Sequence, residues 1–184
     1  FPDHSHCAQW GTVVAGEKAW IGKEVIVPAV MPCRKCILCK TGRGNRCLDQ
    51  KMPGNSLASY GGFSSHIPVP SVDLCEVKNR GNIPLSHLAV VADAATTPYQ
   101  AAKRADLQPG DNVVVIGITG GVGQYMGQMA KALGAKTVIG IARNQEKLNR
   151  ALKYGADVVI NSTDKDAGAI SKEFRGICKE RGLP

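Results

Sequence analysis

Cys33, Cys36, Cys39 and Cys47 fall within fifteen residues, in the run C-x2-C-x2-C-x7-C of MPCRKCILCKTGRGNRC. A segment this short, rich in Arg, Lys and Gly, cannot bury an apolar core of its own, so a crosslink must hold it. Four thiolates at these spacings suit tetrahedral Zn2+, whose filled d shell imposes no geometry. Two other readings compete. Bacterial ferredoxin motifs also open C-x2-C-x2-C but continue with a three-residue spacer and Cys-Pro, whereas here the last spacer is seven and Leu48 follows Cys47. A disulfide framework fits poorly with seven cysteines, an odd number, and no signal peptide or extracellular marker is visible. Zinc is the expected ligand of all four cysteines. With four protein ligands it has no open position, and its expected role is structural.

The second half reads as alternating strands and helices. Asn112 to Ile116 is an apolar, β-branched run with the length of a buried parallel strand, introduced by the turn Gln108-Pro109-Gly110-Asp111. Gly117, Gly120, Gly121 and Gly123 break it. A helix follows with Val122, Met126, Met129, Ala130 and Leu133 on one face, ending at Gly134. Lys136–Ala142 is a second strand, Gln145–Lys153 a second helix closed by Gly155, and Asp157–Ile160 a third strand. Ile170, Phe174, Ile177 and Cys178 mark a last amphipathic helix. A βαβαβ order implies a doubly wound parallel sheet, of which this is half. The free N–H groups and positive dipole end of the helix after the glycines would receive a pyrophosphate. Gly117, Gly120, Gly121, Val122 and Gly123 are therefore candidate cofactor-binding residues. The bland reading of the glycines is a tight strand-to-helix connection, but the surrounding βαβ order favours a nucleotide.

Composition narrows the partners. An apolar content of 43% is ordinary for a globular protein, and no apolar stretch approaches the ~20 residues of a membrane span, so a soluble protein is expected. The net charge is +8, with Arg34, Lys35, Lys40, Arg43, Arg46 and Lys51 around the cysteines. Such a basic zinc module could hold nucleic acid. It lacks interleaved aromatics for base stacking, Phe, Trp and Tyr making up only 5% of the chain, so an anionic small molecule ranks above nucleic acid.

The cysteine lobe, GGFSSHIPVP, the TTPYQAA helix and LQPGDNVVVIGITGGVG together resemble the zinc-containing medium-chain alcohol dehydrogenases, over nearly the whole chain after Gly11. Residues 16–56, GEKAWIGKEVIVPAVMPCRKCILCKTGRGNRCLDQKMPGNS, are more narrowly similar to the 6-hydroxycyclohex-1-ene-1-carbonyl-CoA dehydrogenases of anaerobic benzoyl-CoA degradation. The resemblance implies a GroES-like, β-rich catalytic domain over 1–105, with a structural zinc lobe at 31–48. The first half of an α/β Rossmann doubly wound domain for NAD(P) would follow over 106–184. The chain would then be a fragment, inactive alone, of a cytoplasmic enzyme that is homo-oligomeric when full length. The implied reaction moves hydride from an alicyclic hydroxyacyl-CoA ester to NAD, leaving the conjugated ketone. Another zinc alcohol or polyol dehydrogenase of the superfamily is the alternative. From a different class, so is a zinc-stabilised nucleotide-binding module without catalysis.

The resemblance also implies a catalytic zinc. One family ligand lies upstream of this chain. A second, the histidine of a Gly-His-Glu motif, falls where His6-Cys7-Ala8 stands, leaving open whether His6 or Cys7 ligates or whether FPDHSHCAQW departs from the natural sequence. The third falls on Asp93 of VVADAATTPY, a candidate catalytic zinc ligand whose alternative role is an N-cap or surface aspartate. His66 and His87 are expected to be packing or surface residues.

The cofactor fingerprint departs twice from G-x-G-x-x-G. The turn reads Gly117-x-x-Gly120-x-x-Gly123, and the acid expected at the end of the second strand is Ala142, followed by Arg143. Arg143 is thus a candidate cofactor contact that can pair with a 2′-phosphate, whereas the resemblance implies NAD. NAD is the expectation, with NADP the other possibility.

Overall fold

The computed structural model describes residues 9–52, 61–62 and 64–183, and the chain divides into two units, one ending at Asp93 and one starting at Ala94. In the first, β1 (Gln9–Thr12), β2 (Glu24–Val27) and β3 (Cys75–Glu76) form an antiparallel sheet in that order, with Trp10 opposite Ile26 and Val25 opposite Glu76. The central strand, EVIV, is β-branched and buries Val25, Ile26 and Val27. Glu24 at its start accepts two hydrogen bonds from the Arg80 guanidinium, at 2.7 and 2.8 Å. That guanidinium holds the Glu24 carboxyl below the ordinary carboxylate range, and the carboxylate raises Arg80 in turn. One-turn and longer 3-10 segments, Ser71–Asp73 and Leu85–Ala92, complete the unit. A single antiparallel bridge, Met31 to Lys51, closes the base of the cysteine lobe.

The second unit is half of a Rossmann sheet. Strands β4 (Asn112–Ile116), β5 (Thr137–Ala142) and β6 (Val158–Asn161) run parallel in the order β4-β5-β6. β5 is buried throughout, and its alternating side chains feed two cores. Val138 and Ala142 pack with Val115, with Ala130 of α3 (Gly121–Ala132) and with Leu148 and Ala151 of α4 (Gln145–Lys153). Ile139 and Ile141, with Ile160, pack against Ile170, Phe174 and Ile177 of α5 (Ala167–Arg181). Helix α2 (Thr96–Arg104), which comes after α1 (Ile37–Lys40) of the lobe in chain order, packs on α3 and belongs to this unit, although the expected domain boundary falls near residue 105.

Three expectations shift. β5 and β6 begin one residue later than expected. Val122, expected on the buried face of α3, is exposed. The rest of the expected face holds, with Met126, Met129 and Leu133 partly buried and Ala130 fully, and Gly127 is buried beside them. β4, expected to be buried on both faces, buries Val115 but leaves Val114 45% and Ile116 82% exposed, because it is an edge of this sheet and α5 covers only β5 and β6.

Helices α2 to α5 end alike. Asp106, Gly134, Gly155 and Gly182 take left-handed φ values of +52°, +94°, +116° and +61°. The next residue in each case, Leu107, Ala135, Ala156 or Leu183, donates its N–H to a carbonyl five residues back, at 2.8 to 3.1 Å. These are Schellman stops. No helix among the described residues is long and apolar enough to cross a membrane.

Candidate functional site

The cysteine lobe is pre-shaped for a metal. Arg34, in the left-handed region at φ +60°, turns the chain between Cys33 and Cys36 so that the Cys36 N–H reaches Cys33 Sγ at 3.4 Å. Cys39 rides on the single turn α1, and Cys47 ends the 3-10 turn Gly44–Arg46. Cys47 Sγ accepts from the N–H groups of Cys33 (3.2 Å) and Asp49 (3.3 Å). All four sulfurs lie within 4.8 Å of one another, with Cys36 3.5 Å from Cys39 and 3.9 Å from Cys47. A tetrahedron with Zn–S bonds of ~2.3 Å has edges of about 3.8 Å, so the four sulfurs already stand near the corners that zinc needs. The thiols are already differentiated. N–H groups of Leu48 and Cys39 bring Cys36 down to about 6, those of Lys35 and Cys36 lower Cys33, and partial burial pushes Cys39 up to about 12. Of the six basic residues around the lobe, Arg43 donates to Thr41 Oγ1 at 3.3 Å, and Arg34 is engaged more firmly. Its guanidinium pairs with Asp73, a side chain only 6% exposed, and donates to the Val72 carbonyl at 2.9 Å.

A second candidate site, a cleft, is built on the glycine turn. Gly117, at φ +76°, leaves β4 by donating to the Ile141 carbonyl at 2.7 Å. Gly120 donates back to the Gly117 carbonyl at 2.9 Å and caps α3, whose first turn has neither a side-chain cap nor an acid. Its leading N–H groups are open to an anion. A Cβ on Gly123 would stand 2.1 Å from the Gly117 carbonyl oxygen, so the turn admits no side chain there. Beneath it Ile118 is fully buried, and a Cβ on Gly140 would come within 2.7 Å of its Cδ1.

The resulting cleft, about 940 Å³, brings together Gly117, Gly120 and Arg143 of the expected residues. Gly121, Val122 and Gly123 form the first turn of α3 and do not line it. Ala142, buried at the end of β5, puts an apolar residue at the position of the ribose acid. Sequence reasoning missed Asn144, Lys147, Thr163 and Asp164, which also line the cleft. A signal existed for Lys147. It is the third residue of α4, after an Asn144 side chain that accepts its N–H at 2.9 Å, and a cation in a first turn opposes the helix dipole.

Asp93 stands after the 3-10 segment Leu85–Ala92 as its C-cap, while Ala95 is the N-cap of α2. The four-cysteine cluster is the one group of three or more potential metal ligands among the described residues, and Asp93 is not in it. His6 and Cys7 lie outside the described residues. His66 is exposed, its ring nitrogen 3.1 Å from Ser65 Oγ, and His87 is exposed too, as expected of surface residues.

Residues 7–79 match the alcohol dehydrogenase GroES-like domain family, and residues 121–183 the zinc-binding dehydrogenase family. The chain belongs to the zinc-containing medium-chain alcohol dehydrogenase superfamily. Among its relatives are an erythritol/L-threitol dehydrogenase of Mycolicibacterium smegmatis, 31% identical over 95% of this chain and 45% of that protein, and an NAD-dependent alcohol dehydrogenase of Sulfurisphaera tokodaii, 29% identical over 94% and 50%. The crystal structure of galactitol-1-phosphate dehydrogenase from Escherichia coli superposes with a TM-score of 0.80 at 26% identity, covering 93% of this chain and 48% of that one. This member of the superfamily spans about half the length of the curated relatives it matches.

Proposed function

We propose that the chain supplies the structural zinc lobe and the adenosine and pyrophosphate half of the cofactor site in an NAD-dependent dehydrogenase acting on an alcohol or polyol hydroxyl. The observation that carries this is the Gly117–Gly123 turn, sealed against side chains and opening onto a cleft at the free end of α3. The names of the relatives point the same way. In this reading the backbone of Gly117 and Gly120 and the first N–H groups of α3 bind the pyrophosphate and fix the cofactor's register. Cys33, Cys36, Cys39 and Cys47 hold the structural zinc, and Asp93 is a ligand of a second, catalytic zinc. That ion, when bound, supplies Lewis acidity to the substrate hydroxyl. A narrower reading, oxidation of 6-hydroxycyclohex-1-ene-1-carbonyl-CoA, is favoured by the resemblance over residues 16–56 and by exposed Lys35, Lys40, Arg43, Arg46 and Lys51, which suit CoA phosphates.

The test monitors NAD reduction by a full-length protein containing this chain, offered erythritol, a simple secondary alcohol and the CoA ester in parallel. Turnover of the alcohol or polyol is expected, together with loss of turnover and of one bound zinc in Asp93→Ala. Turnover of the CoA ester alone would establish the narrower reading. No turnover by folded, zinc-replete protein would leave a binding module.

A further inference from the structure

Arg34 combines a strained backbone with a firmly held side chain. It stands next to Cys33 at φ +60°, a region that glycine enters freely and a residue with a Cβ does not. Its guanidinium reaches out of the lobe, pairing with the Asp73 carboxylate and donating to the Val72 carbonyl at 2.9 Å. Among the described residues, no other side chain from Cys33 to Cys47 makes a hydrogen bond outside the lobe, and none of the other five basic residues around it forms an ion pair. The receiving end is fixed as well. The Asp73 side chain is 6% exposed, and a carboxylate so far out of water needs a charged partner. Its turn, Ser71–Asp73, is tied to the loop after β1 by Ser71 Oγ, which donates to Glu17 at 2.6 Å, and runs into β3 two residues later. A strained residue persists where its surroundings over-determine it. Here the residue lies between two ligands, and its turn sets Cys33 Sγ 3.4 Å from the Cys36 N–H.

We propose that Arg34 is a positioning residue for the lobe's metal: its guanidinium, anchored on Asp73 and Val72, holds the Cys33–Cys36 turn in the ligating conformation and slows the release of zinc. This rests on the zinc reading of the four cysteines given above and adds to it a contact 39 residues away in the chain.

The test follows zinc leaving the zinc-loaded protein for an excess of a chromogenic chelator, in the wild type, Arg34→Gly, Asp73→Asn and the double variant. Arg34→Gly removes the anchor while relieving the backbone, and Asp73→Asn leaves the lobe's own sequence untouched. Each single variant is expected to release zinc about tenfold faster than the wild type, the effect of losing a charge-assisted hydrogen bond. The double variant should be no faster than the faster single one, because both remove the same contact. Cobalt-loaded variants should keep the thiolate-to-metal charge-transfer absorption of four sulfurs, so that the faster release reflects a looser hold on an intact ligand set. Release from Arg34→Gly as slow as from the wild type overturns the proposal, and so does an Asp73→Asn without effect or a double variant that sums the two. Loss of the cobalt absorption in both single variants overturns it too, because the pair would then be a condition of folding rather than of metal retention. If the wild type takes up neither zinc nor cobalt, the zinc reading itself fails and takes the proposal with it.

Discussion

Gly123 stands where the glycine turn and α3 meet, and its hydrogen atom occupies space that a methyl group would have to share with the Gly117 carbonyl, 2.1 Å away. Two residues earlier, a Cβ on Gly121 would meet nothing within 4 Å. Gly123→Ala should therefore destabilise the second unit by about 3 kcal/mol or more and abolish nucleotide binding, while Gly121→Ala should cost less than about 1 kcal/mol. Urea unfolding monitored by circular dichroism distinguishes them, and equal costs would refute the steric argument. The importance of these glycines is legible in the chain, since four of them between a strand and a helix have few other uses. Which of them tolerates a side chain is not, because the clash is with backbone six residues away. Lys147 leaves only a faint trace, as a cation in the first turn of a helix. A lysine in a helix is unremarkable until its neighbours show that it faces a cleft and has no counter-charge. For the cysteines spacing is enough, because four thiols so close in sequence have few ways to lie apart.

Elements are legible where period and punctuation agree. The βαβαβ order, the extent of α4 and the apolar faces of α3 and α5 can be read from hydrophobic period and from glycines at helix ends, whereas the burial of Gly127 on α3 cannot, because a glycine carries no side chain to register in that period. The Glu24–Arg80 pair, 56 residues apart, leaves no local trace at all. Among the Schellman stops, the end of α2 is the odd one, using Asp106 where the others use glycine. An L-residue with a Cβ is strained in that region, although Asp106 recovers part of the loss by accepting from the Gln108 side chain at 2.9 Å. Asp106→Gly is expected to raise stability by about 0.5 kcal/mol, read as a higher urea midpoint at unchanged slope. A lower midpoint would mean that the Asp106 carboxylate matters more than its backbone.

At the scale of the molecule the two units have separate cores and separate supports. The first leans on the cysteine lobe, the second on two apolar layers around β5. Chelating zinc at neutral pH should therefore strip hydrogen-exchange protection from residues 31–51 and leave β5 protected, and a uniform loss would contradict the division. The same lobe should lose zinc as pH falls, which a colorimetric zinc indicator would register. Protons and metal compete for the sulfurs, and Cys39, pushed up to about 12, must surrender a proton that Cys36, at about 6, has already lost at pH 7. The chain could not disclose at this scale which of its strands is covered, because a strand reads as equally apolar whether or not a neighbour lies on it. Strand β4 is such an uncovered strand. Among the described residues its Val114 and Ile116 stay exposed and no strand pairs with its outer side, the side on which a parallel sheet takes up its next strand.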